Sequence, residues 1–200
     1  QMCIRDRGYW YSNNPLAVLN RNIDNMSRNR LDMNLSLDAK ILKVLSYQFK
    51  FSYYTVHETD NSFTGVWGLD EDFIMPGSLS QVHKYQNTAN KWEMNNLLTF
   101  NWSNANHKLT VLAGQTAESY RNSWQQSFRS GTPSNESIFH YLSSAYTGDK
   151  TYGLDREWTA LGLIGRINYS LHDIYLLQFN VRADGSSMFA KGNRWGIFPS

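Results

Sequence analysis

The chain has one cysteine, Cys3, in 200 residues, so it can build neither a disulfide framework nor a cysteine-based zinc site. Charge is also scarce. Asp, Glu, Lys and Arg make up 18% of the residues, against roughly 25% in an ordinary globular chain. That argues against a disordered charged tail and against a helical domain with a Glu- and Lys-rich surface. The formal net charge of +2 removes the electrostatic case for a nucleic-acid partner. No stretch approaches the roughly 18 consecutive apolar residues of a membrane helix, which excludes a helical membrane protein. Aromatic residues, by contrast, are abundant: 12 Tyr, 10 Phe and 7 Trp. Asn and Ser together make about a fifth of the chain. Aromatics with small polar residues and few charges point to strands joined by polar loops.

The two ends read differently from the middle. Met2-Cys3-Ile4-Arg5-Asp6-Arg7 resembles translated sequencing-adaptor sequence, so residues 1–7 are expected to be non-native, the alternative being a short basic segment. Gln1 to Tyr11 has no apolar signal-peptide region. At the other end, Trp195 to Ser200 begins a new apolar stretch, as expected if residues 8–200 are part of a larger fold.

Between them the chain alternates. Leu31, Met33, Leu35, Leu37, Ala39 and Ile41 are apolar and the residues between them polar, the period of a two-faced strand. Leu45, Tyr47, Phe49, Phe51 and Tyr53 repeat the pattern after a short break, so the two runs form a hairpin. A second hairpin joins Trp92–Trp102, where Asn96 interrupts the apolar face, to a run from Leu109 to about Tyr120. A third joins Trp158–Tyr169 to Ile174–Arg182. Links within pairs are short. Links between pairs are long, roughly Val56 to Lys91 and Arg121 to Glu157. In an up-and-down sheet, strict alternation puts all long links at one end and all short ones at the other. That is the layout of an outer-membrane barrel, with short periplasmic turns and long extracellular loops. Predicted strands of about 9–11 residues also match a tilted bilayer span. Tyr53, Tyr54, Trp92, Trp102, Trp158 and Tyr169 lie near strand ends, where interface girdles place aromatics. The expected fold is therefore all-β: an antiparallel up-and-down transmembrane β-barrel fragment of about six long strands in three hairpins. A soluble β-sandwich or jelly roll is the alternative.

Catalytic chemistry finds little footing. His57, His83, His107, His140 and His172 are scattered, and His57-Glu58 lacks the second histidine of a zinc-protease helix. Gly162-Leu163-Ile164-Gly165 lies inside a strand, so its glycines mark a bend or close packing rather than a dinucleotide loop. Gly185-Ser186-Ser187 is no nucleophile elbow. The acidic run Leu69-Asp70-Glu71-Asp72 lacks a spaced calcium ligand set. No catalytic, cofactor or metal residue is assigned, and an enzyme is not expected. Aromatics in the long links are better candidates for ligand contact, through ring stacking and polar tips: Trp67, Tyr120, Trp124, Tyr141 and Tyr146.

One segment carries a resemblance. Arg182-Ala183-Asp184-Gly185-Ser186-Ser187-Met188-Phe189, followed by Gly192-Asn193-Arg194-Trp195-Gly196-Ile197-Phe198-Pro199-Ser200, resembles a signature of SusC/RagA-like TonB-dependent outer-membrane transporters of Bacteroidetes. Met188 stands where that family often has a basic residue. Asn14-Pro15-Leu16-Ala17-Val18-Leu19-Asn20, Arg28-Asn29-Arg30 and Gly165-Arg166-Ile167-Asn168-Tyr169 are also similar to the family, so the likeness runs from about Tyr9 to Ser200. Asp184-Gly185-Ser186-Ser187 is a turn former, so the signature reads as structural, ending a strand and ordering a loop. The resemblance implies a large plugged barrel in the outer membrane, in contact with lipid, of which this chain is a part without plug or TonB box. It also implies a SusD-like surface lipoprotein as partner, the TonB complex acting through regions outside the chain, and import of glycans or peptides without a cofactor. A secreted carbohydrate-binding module, a porin and a siderophore receptor are the alternatives.

Overall fold

The computed structural model describes residues 22–66 and 79–200. They form one seven-stranded sheet whose strands follow chain order: β1 (Ile23–Leu42), β2 (Leu45–Thr64), β3 (Gln81–Ser103), β4 (His107–Ser130), β5 (Thr147–Leu171), β6 (Tyr175–Ser186) and β7 (Trp195–Pro199). The six long strands and three tight hairpins are those expected, and β7 adds a seventh. Short and long links alternate through the first five connections. No described helix is long and apolar enough to cross a membrane, which has no bearing on strands.

Five of the strands are about twice the predicted length. β1 to β5 have 20, 20, 23, 24 and 25 residues. Much of what reads as long loop is strand. The reason is that a backbone ladder does not require an apolar face. Beyond the alternating segments it is accompanied by polar and aromatic cross-strand pairs, such as Gln125 Nε2 to Gln86 Oε1 at 2.8 Å and Ser127 with Thr151 at 3.3 Å. Such pairs carry no hydropathy contrast.

The chain divides into two compact units. One contains the described residues 29–57, 88–123 and 155–200. Here the two-residue period separates the faces. Leu31, Met33, Leu35, Leu37 and Ile41 remain more than half exposed, as do Tyr175 and Leu177. Register sets like against like: Ile167 opposite Phe179, Tyr169 opposite Leu177, and on the other face Arg166 opposite Asn180 and Asn168 opposite Gln178. Arg166 Nε donates to Asn180 Oδ1 at 2.8 Å. An exposed apolar face backed by a polar one is the pattern of a barrel wall, where lipid covers the apolar side. Asn96 on the apolar face is matched by Tyr47, whose hydroxyl donates to its Oδ1 at 2.6 Å. Gly162 and Gly165 of β5 are close-packed, as expected: a Cβ at Gly162 would meet Thr116 Oγ1 and Asp184 Oδ1, and one at Gly165 would lie 3.1 Å from Val181.

The other unit contains 22–28, 58–66, 79–87 and 124–154. Its core is small: Phe63, Val82, Ala145 and Ser80 are buried. The β4–β5 link carries two single-turn 3-10 helices, Ser137–Phe139 and Leu142–Ser144. Its Asn135 side chain acts as a backbone partner. Oδ1 accepts from Val66 N–H at 3.0 Å and Nδ2 donates to Val66 O at 3.3 Å. Ser80 Oγ accepts from Thr132 N–H at 2.7 Å, and Gly131 N–H donates to Ser80 O at 2.9 Å. His140 stacks on Phe63 with ring centres 3.8 Å apart.

Candidate binding surface

The aromatic candidates do not form one site. Trp67 lies outside the described residues, as does the acidic run Leu69-Asp70-Glu71-Asp72. Tyr120 and Trp124 stand on β4 rather than in a loop, because the ladder runs past the apolar alternation. Tyr120 lies against Trp158, ring centres 5.8 Å apart. Trp124 lies 6.5 Å from Tyr85. Tyr141 and Tyr146 are in the β4–β5 link, 60% and 68% exposed.

The girdle expectation divides by parity. Trp92 and Trp102 are partly exposed. Tyr54 and Trp158 instead meet cations: the Arg30 guanidinium is 5.6 Å from the Tyr54 ring and the Lys91 ammonium 5.9 Å from the Trp158 ring. Neighbouring residues of a strand point to opposite faces, so Tyr53 and Tyr54 cannot share one.

Lys91 belongs to a charge cluster that was not singled out in the sequence. Its Nζ is 2.9 Å from Glu118 and 3.9 Å from Glu93. The sequence signal is Lys91 and Glu93 at alternate positions, with Glu118 on the polar face of the following run. Glu93 and Glu118 line a cavity of about 740 Å³ together with Thr116, Gly162, Arg182, Asp184, Phe189, Arg194 and Phe198. Its far wall is the resembling segment. Arg182 Nε donates to Asp184 at 2.7 Å. β6 and β7 pair from Val181 with Pro199 to Gly185 with Trp195, and Ser186 N–H donates to Arg194 O at 3.0 Å. Between the strands, Ser186 Oγ accepts from Met188 N–H, and Arg194 Nε donates to Phe189 O at 3.2 Å. Asn193 N–H donates to Ala190 O at 3.1 Å, beside Gly192 with φ of 100°. Ser187 ties this turn to β5: its N–H donates to Thr159 O at 2.9 Å and its Oγ accepts from Thr159 N–H at 2.8 Å. Ser200 exchanges both backbone bonds with Asn180, at 2.7 and 2.9 Å.

In the other unit, Asp60 has Asp24 and Glu58 as neighbours and lies 4.0 Å from His83, which stacks on Phe128 at 4.2 Å and lies 3.3 Å from Ser62 Oγ. Burial, then the neighbouring Asp24 carboxyl, raises the Asp60 pKa above its ordinary value, with the His83 charge opposing. Among the described residues, no group of three or more His, Cys, Asp or Glu side chains is arranged to hold a metal. His57 meets Thr88 Oγ1, His107 the Tyr169 hydroxyl, and His140 the Asn135 carbonyl.

No protein-family model matches the chain. Among curated proteins it is similar to TonB-dependent receptor P3 of Formosa agariphila, 24% identical over 188 residues, which are 94% of this chain and 18% of that receptor. It is 57% identical over 42 residues, 21% of the chain, to TonB-dependent receptor SusC of Bacteroides thetaiotaomicron, covering 4% of that protein. Among solved structures, the RagAB peptide transporter superposes with a TM-score of 0.78 at 18% identity, over 90% of this chain and 20% of the transporter chain, a likeness of fold. The chain thus spans about a fifth or less of the length of the relatives it matches. With its alternating two-faced sheet, the chain has the fold of a β-barrel wall segment and is similar along most of its length to TonB-dependent receptors.

Proposed function

We propose that the protein containing this chain is an outer-membrane TonB-dependent importer that works with a SusD-like surface lipoprotein to take up glycans or peptides. The carrying observation is the up-and-down sheet with an exposed apolar face, in a chain aligned along 94% of its length with a TonB-dependent receptor. On this reading residues 8–200 are wall, and residues 1–7 lie outside the native sequence. Passage is by binding and gating rather than by bond-making chemistry. The plug, the TonB contact and the lipoprotein belong to regions outside the chain or to other proteins. The segment Arg182–Ser200 has a structural role, ordering the β6–β7 hairpin, supported by its dense backbone hydrogen bonds. Tyr120, Trp124, Tyr141, Tyr146 and Trp67 are the aromatics offered to ligand.

The test is fractionation of the complete protein followed by uptake assays. Recovery in the outer membrane, with growth on one class of oligomer that requires both TonB and the neighbouring lipoprotein, is the expected result. A protein that stays soluble without detergent would favour a secreted binding module. One that conducts freely without TonB would favour a porin.

A further inference from the structure

The link between β4 and β5, residues 131–146, closes on itself. Tyr146 N–H donates to Gly131 O at 3.1 Å. Gly131 has φ of 78°, and a Cβ there would meet the Tyr146 ring, so glycine makes this closure without strain. Inside the link, Thr132 Oγ1 donates to Ser134 O at 2.9 Å and His140 Nε2 lies 3.0 Å from Asn135 O. Arg129 of β4 donates from Nη1 to Leu142 O at 3.1 Å.

This closed link grips the neighbouring strands at two points. Asn135 holds Val66, just beyond β2, by hydrogen bonds in both directions. Gly65 lets it approach, since a Cβ there would lie 3.0 Å from Asn135 Oδ1. His140 stacks on Phe63, which is buried. The second point is Ser80, just before β3. Gly131 N–H donates to its carbonyl and Thr132 N–H to its Oγ. The Thr132 hydroxyl gives its proton to Ser134, so the Ser80 hydroxyl donates to Thr132 Oγ1, at 2.7 Å. Ser80 is 1% exposed and Val82 fully buried, so these partners are enclosed within the unit itself.

Val66 and Ser80 stand at the two ends of the link from β2 to β3. Their partners in the β4–β5 link are 69 and 52 residues away in sequence, inside the same compact unit. A continuous path joins the two points: Val66 to Asn135, along the chain to Ser134, from its carbonyl to the Thr132 hydroxyl, and on to Ser80. We propose that the link 131–146 is a clamp that makes itself and both ends of the β2–β3 link one cooperative unit. The three segments open together, and a ligand or partner that restrains one restrains the others. Such coupling is reciprocal, so a disturbance at Val66 appears at Ser80 and the reverse. This goes beyond the importer reading and does not depend on it.

The test is amide exchange of the complete receptor in detergent, read by mass spectrometry over 59–66, 79–84 and 131–146. Asn135→Ala removes the side-chain contact with Val66. The expected result is about tenfold faster exchange in all three segments, including 79–84, which Asn135 reaches through Ser134 and Thr132. Ser80→Ala is expected to speed exchange in 59–66 by a similar factor. Gly65→Ala, which pushes Asn135 away and keeps its amide, acts in the same direction. Asn135 is an exposed position, so Asn135→Ala folds even where a change at buried Ser80 does not. The β5–β6 turn keeps its parent rate in each variant. Acceleration confined to the segments touching the substituted residue would overturn the proposal. So would a uniform acceleration that includes the β5–β6 turn, because the clamped segments would then not form a unit of their own.

Discussion

Lys108 holds Asp173 with both carboxylate oxygens, its Nζ 2.7 Å from Oδ1 and 2.8 Å from Oδ2. The contact joins the start of β4 to the turn after β5. Beside it, His172 N–H donates to Asn106 O at 2.7 Å and His107 Nδ1 is 2.7 Å from the Tyr169 hydroxyl. Two successive hairpins are thereby fixed to each other at their short turns.

The turn itself is held in a left-handed conformation, with φ of 54° at His172 and 57° at Asp173. A left-handed residue with a Cβ costs about 1–2 kcal/mol, and a β-branched one more. His172→Gly is expected to leave stability unchanged or slightly raised, and His172→Val to lower it by about 1–2 kcal/mol. Urea unfolding of the complete receptor in detergent measures both. A His172→Val protein as stable as the parent would contradict the assignment.

Two carboxylates give opposite pH responses. Asp60, with its pKa raised by burial and by Asp24, contributes stability that is full below the ordinary carboxylate range and lost as pH rises through its folded value. Asp173, with its pKa lowered by the hydrogen bond and charge of Lys108, contributes stability present above that range and lost as pH falls through its folded value. Amide exchange corrected for intrinsic rate should therefore show the β2–β3 region near Asp60 better protected in acid and the β5–β6 turn less so. Asp60→Asn should abolish the first response and spare the second.

Tyr47 and Asn96 form a coupled pair on the apolar face. Tyr47→Phe leaves the Asn96 amide without its partner and is expected to cost about 1–3 kcal/mol. Replacing both, as Tyr47→Phe with Asn96→Leu, should recover most of that loss, since no polar group is left unmet. A double-mutant cycle on the unfolding midpoint reads the coupling, and simple additivity would argue against the bond.

Asn135 links the β4–β5 connection to Val66 through two hydrogen bonds. Asn135→Ala is expected to loosen this connection by about 1–2 kcal/mol. Limited proteolysis should then cut within 131–146 before the strands. Asn135→Asp should not rescue it, because a carboxylate cannot donate to Val66 O. Unchanged proteolysis in both variants would show the bonds to be dispensable.

The alternation of Leu31 to Ile41, and of the five runs that resemble it, by itself determined the six long strands, their faces and the short turns. Each is a local property of hydropathy with period two. Segment Arg182–Ser200 was legible as a signature, and its hairpin follows from its turn formers. What only the tertiary structure decided lies between residues distant in sequence. The strands run past the apolar band because backbone hydrogen bonds are indifferent to hydropathy, so Tyr120 and Trp124, which read as loop residues, stand on β4. Asn96 breaks the pattern in sequence and fits it in space, because its partner Tyr47 lies across the sheet. The Lys91, Glu93 and Glu118 cluster depends on which strand lies beside which and where each one stops. Alternation along a single strand carries neither piece of information.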